Sequence, residues 1–231
     1  MGGVNGSQAT LRAIIGDVIQ RWYINAGNLG QGLQLAFSVG PDHFVAVTNV
    51  NLGVFDKATG SRLVDVSLAT FFNEGVGDPR VAYDPHHDRW ALIASNFSNR
   101  VYFAYSLTGD PTGAWFKTSV NVAQGSDLGK WPDYPTLGVD SRGVYTASYM
   151  VGGSNQMSIW SIDTAPLLAA TPTMGTVTAW RLLPWEGAIQ PCVTYGDSGG
   201  VYLISRRSNT TAASLRCQYP SSSRTSMVTW G

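Results

Sequence analysis

The chain has 231 residues, 44% of them hydrophobic, which is enough for one packed core; 15 basic and 15 acidic residues leave no net charge, so the basic stripe of a nucleic-acid binder is missing. Only 13% of residues are charged, while 26 Gly, 8 Trp and 10 Tyr stand out, a composition suited to short strands, tight turns and aromatic packing between layers. No apolar run approaches the ~18 residues of a membrane span, so membrane insertion is not expected.

Residues 1–10 lack the basic-then-apolar layout of a signal peptide, so the chain is either intracellular or without a leader it once had. Residues 1–28 read as an N-terminal extension. Within it Leu11, Ile14, Ile15, Val18, Ile19 and Trp22 follow helical spacing with Ser7 as a cap, while Asp17–Ile24 also reads as an outer strand. Both readings stay open.

From residue 29 onward the chain repeats. Pro79, Pro135 and Pro191 recur at intervals of 56 residues, in the strings Asp78-Pro79-Arg80-Val81-Ala82-Tyr83-Asp84, Tyr134-Pro135-Thr136-Leu137-Gly138-Val139-Asp140 and Gln190-Pro191-Cys192-Val193-Thr194-Tyr195-Gly196. A turn and an alternating apolar run follow each: Trp90 to Ser95, Val144 to Ser148 and Val201 to Ser205. A looser first copy runs from Gln34 through Val39 to Val47. In the second copy four strands are expected at 80–83, 90–94, 101–106 and 115–120. They are joined by Asp-Pro-His-His-Asp, Asn-Phe-Ser-Asn and Gly-Asp-Pro-Thr-Gly, residues that tight connections demand. Four short strands per unit of roughly 45–55 residues predict an all-β protein, a β-propeller of four recognisable blades at about 32–70, 77–122, 133–182 and 189–231. The set is either incomplete or part of a longer propeller, and Thr225 to Trp230 reads as the fourth unit's outer strand.

Between the third and fourth strands of the second unit lies Ser106-Leu107-Thr108-Gly109-Asp110-Pro111-Thr112-Gly113-Ala114-Trp115. It resembles the Asp-box turn of sialidase-like blades, with a longer Ser-to-Asp spacing. Asp56 and Gly60 keep part of the pattern in the first unit, and Ser161 and Asp163 in the third. The resemblance implies a propeller of the glycan-acting, extracellular or cell-envelope kind. It brings no arginine triad or Tyr-Glu pair with it.

In such a ring, loops between blades and loops between second and third strands share one face. That face should gather Glu74, Asp78, Asp127, Lys130, Trp131, Asp133, Tyr134, Trp185, Glu186 and Gln190 from the first set. From the second come Asn49, Asn51, Asn96, Asn99, Arg100, Asn155, Arg206 and Arg207. Rings that stack on sugars beside amides that bind hydroxyls suit a glycan. The expected function is therefore non-catalytic binding or scaffolding. Its partner is a glycan or a protein, met through Trp131, Tyr134, Trp185, Gln190, Asn96, Asn99 and Arg206. No cofactor, metal or nucleic acid is expected, and the chain reads as a monomer or part of a longer multidomain protein. The alternative is a glycoside hydrolase whose carboxylates come from Glu186, Glu74, Asp78 and Asp133.

Three further motifs have blander readings. Asp84, His86, His87 and Asp88 sit in a first-to-second-strand turn on the opposite face, where a turn role is expected rather than metal binding. Gly196-Asp197-Ser198-Gly199 resembles a serine-protease string but falls in the same kind of turn. Cys192 and Cys217 are expected on a first and a third strand, about 9.6 Å apart, as free buried thiols. The sequons at Asn5, Asn96 and Asn209 carry little weight.

Overall fold

The computed structural model describes residues 35–183, 188–197, 199–206 and 212–216. The expected N-terminal helix or strand, Trp185, Glu186, Arg207, Cys217 and the outer strand at 225–230 lie outside them.

Four antiparallel meanders follow one another. The first holds β1 (Leu35–Val39), β2 (His43–Thr48), β3 (Asn51–Asp56) and β4 (Arg62–Ser67). The second holds β5 (Gly77–Asp84), β6 (Arg89–Ser95), β7 (Arg100–Ser106) and β8 (Trp115–Asn121). The third holds β9 (Trp131–Val139), β10 (Gly143–Val151), β11 (Gln156–Asp163) and β12 (Val177–Leu183). Among the described residues the fourth has three strands: β13 (Gln190–Pro191), β14 (Tyr202–Arg206) and β15 (Ala212–Arg216). Each sheet runs in chain order from first strand to last, and the first strands β1, β5, β9 and β13 contact one another in succession. Sheets stacked side by side through their innermost strands make a β-propeller, so the proline spacing was a true blade period. Pro79, Pro135 and Pro191 are all buried on those inner strands. An inner strand has one edge without a ladder partner, the place where a residue lacking N–H does least harm.

The alternating apolar runs have a specific meaning here. On β6, Trp90, Leu92 and Ala94 join a core with Val45, Val54 and Leu68 of the first unit. Ala91 and Ile93 point the other way, into a core with Leu137, Val139 and Trp160 of the third. A third core unites Ala147, Met157 and Ile159 with Ile189, Val201 and Leu203. Each inner blade is thus apolar on both faces, and strand alternation distributes side chains between two neighbours rather than between core and solvent. The blades approach closely: a Cβ on Gly138 would lie 2.5 Å from the backbone of Pro191, so β9 at this point has room only for glycine.

The turn resembling an Asp-box is closed by its own bonds. Asp110 accepts from the Thr112 amide (2.9 Å) and hydroxyl (2.7 Å), which hold its carboxyl below its ordinary range. The Trp90 and Trp115 indoles donate to the carbonyls of Gly109 and Pro111 at 2.9 and 3.0 Å. Asp56 and Thr59 repeat the device in the first unit. Two short helices, Leu68–Phe72 and Thr164–Leu167, follow outer or third strands. Among the described residues no helix is long and apolar enough to cross a membrane.

Candidate functional site

On the face where β5 and β9 begin, the second and third blades enclose a cleft of ≈ 550 Å³ lined by Phe97, Ser98, Asn99, Asn121, Ala123, Leu128, Gly129, Lys130 and Trp131. One wall is the β6–β7 turn, the other the connection from β8 to β9. Phe97 and Trp131 meet edge-to-face, with ring centroids 6.3 Å apart at 68°. Phe97 is 46% exposed and Leu128 78%, so the corner they form is apolar and open. The amides of Asn99 and Asn121 supply polar groups beside it, as a small-molecule site requires.

The turn that presents Phe97 is over-determined. Phe97 holds a left-handed backbone (φ 52°), a conformation that disfavours bulky residues. The Asn96 side chain accepts from the amides of Ser98 (3.1 Å), Asn99 (3.1 Å) and Arg100 (2.9 Å). The Ser95 hydroxyl accepts from the Phe97 amide (2.9 Å) and donates across the blade boundary to the Pro132 carbonyl (2.7 Å). Both cleft walls are therefore joined by one buried serine. Beneath the other wall, buried Asp127 accepts from Ser158 (2.8 Å), Gln156 and Arg181. The Lys130 ammonium donates to the carbonyls of Gly152 (2.8 Å) and Ser154.

Nearer the axis, β5 and β9 each carry a bulge before the repeated proline, and the residue ahead of that proline has a positive φ: Asp78 (50°) and Tyr134 (49°). Pre-proline residues ordinarily prefer extended backbone, so this is strain repeated in register. Asp78 lies near enough to Asp133 of the next blade for the two carboxyls to influence each other. Burial, and then the Asp133 charge, push the Asp78 carboxyl above its ordinary value, while the Tyr134 amide and Arg80 pull the other way. The Arg80 guanidinium lies 4.5 Å from the centroid of the Tyr134 ring.

The expected residues thus divide. Asn99, Lys130 and Trp131 line the cleft, and Asp78, Asp133 and Tyr134 form a group just inside it. Asn96 is a turn former whose side-chain oxygen accepts from three amides, so a ligand would meet its NH2 group. Gln190 is exposed, but its amide braces the Leu137 and Pro191 carbonyls at 2.8 and 2.7 Å. Exposed Glu74 accepts from the Tyr102 hydroxyl (3.1 Å). Asn51 donates to Asp65 (2.9 Å) and Asn155 accepts from Gly152 (3.2 Å), each a local link. The side chains of Trp185, Glu186 and Arg206 lie outside the described residues. Sequence reasoning missed Phe97 and Asn121. An aromatic inside the polar turn Asn-Phe-Ser-Asn was the available signal for the first.

At the opposite end of the blades, buried Asp84 accepts from the Tyr105 hydroxyl (2.6 Å), the His87 ring (2.9 Å) and the His86 amide (3.0 Å). Buried Asp140 accepts from Tyr145 (3.0 Å) and from the amides of Arg142 and Gly143. Among the described residues no group of His, Cys, Asp and Glu could hold a metal ion. Asp197 accepts from the Gly199 amide (3.2 Å) in an exposed turn. Cys192 is free and only half-buried, where full burial was expected; that partial burial raises its thiol pKa.

No family model matches the chain, and no curated protein does. Among solved structures it is similar to an α-L-arabinofuranosidase from Podospora anserina, determined in complex with cellotriose. That likeness has a TM-score of 0.47 at 15% identity and covers 83% of this chain and 67% of the other. It is also similar to an ACO/RPE65 chimera, with a TM-score of 0.46 at 10% identity over 79% of this chain and 45% of that one. A mutant of the Synechocystis apocarotenoid oxygenase gives 0.45 at 9%, with the same coverage. The chain spans under half the length of the two oxygenase chains.

Proposed function

We propose that the chain is a non-catalytic recognition propeller that binds a glycan in the cleft between its second and third blades. The observation that carries this is the composition of the cleft. An aromatic corner, exposed Phe97 against half-buried Trp131, stands beside the amides of Asn99 and Asn121, and among the described residues no carboxylate lines the walls. Sugar rings present C–H faces to aromatic surfaces and hydroxyls to amides, whereas glycosidic cleavage needs two flanking carboxyl groups. An extracellular or cell-envelope setting, as a monomer or as part of a longer chain, goes with this reading.

The hydrolase alternative draws on Asp78, whose raised pKa is the property of a general acid. Against it, a carboxyl pair flanking a glycosidic bond is separated by about 5–5.5 Å or by about 6.5–9.5 Å. Asp78 and Asp133 lie close enough to interact electrostatically, but neither lines the cleft.

A glycan array run with a broad glycosidase assay tests both. Saturable binding without turnover, weakened about tenfold or more in Trp131→Ala, is the expected result. Turnover abolished by Asp78→Asn would favour the hydrolase. Capture of a protein with no glycan signal would move the reading to a protein partner.

A further inference from the structure

We infer that the cleft takes an uncharged saccharide, and that Phe97 is a contact ring held in place by Ser95 from within and Gly77 from below. This rests on the glycan-binding reading and narrows it in two ways.

The first is charge. Among the described residues the one ionic side chain in the cleft lining is Lys130, and its ammonium already donates to two carbonyls, those of Gly152 and Ser154. Two of its three N–H donors are already taken by those carbonyls, so an anionic sugar would find one left. A cationic one would meet no carboxylate among the described lining residues. Binding must then come from apolar contact and hydrogen bonds to Ser98, Asn99 and Asn121, groups that match hydroxyls rather than charges.

The second is pre-organisation. A ring on a turn left to itself would sample many orientations, and a ligand would have to offset the lost freedom on binding. Here the left-handed backbone of Phe97 is held by the Ser95 hydroxyl. That hydroxyl also bonds to Pro132, one residue from Trp131. The Phe97 ring lies directly over Gly77, the residue paired with Ser95 in the ladder: a Cβ there would stand 2.9 Å from Phe97 Cε2. Glycine at 77 therefore lets the ring settle against β5. Ser95 and Gly77 are positioning residues; they act on ligand through the ring.

Calorimetric titration with neutral oligosaccharides of glucose, mannose, galactose, xylose and arabinose, alongside galacturonate and sialic-acid oligomers, tests this. The expected result is saturable binding of at least one neutral series, with acidic oligomers about tenfold weaker or worse. Affinity should hold between low and high salt, since no ion pair forms. Phe97→Ala should lose about tenfold or more. Gly77→Ala pushes on the far end of an exposed ring, so it should weaken binding about fivefold while thermal stability stays near that of the parent. Preferred binding of the acidic series overturns the charge assignment. Parental affinity in both Phe97→Ala and Gly77→Ala overturns the contact assignment; a loss confined to Trp131→Ala would then leave the cleft standing with a different grip. If no oligosaccharide of either kind binds the parent chain, both the inference and the glycan reading fail.

Discussion

The two ends of the blades use the same residue types to opposite effect. At one end Asp84 and Asp140 are buried carboxylates, each of which accepts from at least three donors drawn from hydroxyls, a ring and amides. At the other, Asp78 faces a second carboxyl, its neighbour Tyr134 sits in strained backbone, and large rings lie open to solvent. Fully satisfied buried polar groups rigidify a fold. Strain and unlike-minded neighbours collect where a surface is kept for a ligand. On the proposed reading, stability resides at the turn end and recognition at the interblade-loop end.

The largest test of that division is Asp127→Ala. Asp127 lies on the recognition side but is built like the other end, and its loss would strand the mostly buried Arg181 guanidinium. A stability loss of about 3–5 kcal/mol is expected in denaturant melts, with ligand binding lost as the loop carrying Lys130 and Trp131 is released. Asp84→Ala comes next. The buried Tyr105 hydroxyl loses its acceptor, so about 2–4 kcal/mol should go, while the remaining folded protein binds ligand with parental affinity. Binding lost in step with that mutation would break the comparison.

The smallest effect is the most discriminating. Native Asp78 holds its proton more tightly than the unfolded chain does. Its contribution to stability is therefore complete at pH below the ordinary 3.8 and is lost as pH rises through the raised native value. Asp78→Asn should accordingly raise the melting temperature by about 2 °C at pH 7 and change little at pH 3. A variant less stable at pH 7 would mean that the carboxylate is an asset, and that the pair is organised for stability after all.

Much of the fold was legible before any coordinates because each blade interface imposes the same demands. A proline on the inner edge recurs in the second, third and fourth blades, together with an apolar run and a turn rich in Gly, Asp and Asn. The second unit shows this best, since β5 to β8 fall within three residues of the expected bounds. The site was only partly legible. Trp131 and Asn99 could be placed on the right face from blade register alone. Phe97 takes a left-handed φ with its amide donating to Ser95, whose hydroxyl is itself anchored to Pro132 of another blade, and no local pattern carries that second bond. Asn96 shows the converse: its type suits a ligand, and its own turn takes its oxygen, a use that residue type alone does not reveal. Asp78 and Asp133 were expected on one face; the bulges and positive φ at the repeated prolines carry no local sequence signal.

The most direct test is a crystal structure of the chain soaked with whichever neutral oligosaccharide binds best. The account predicts a sugar ring lying on Trp131 and Phe97 with hydroxyls on Asn99 and Asn121. Density seated instead at the Asp84 and Asp140 end, or at the axis across Asp78 and Asp133 with the cleft empty, would contradict it.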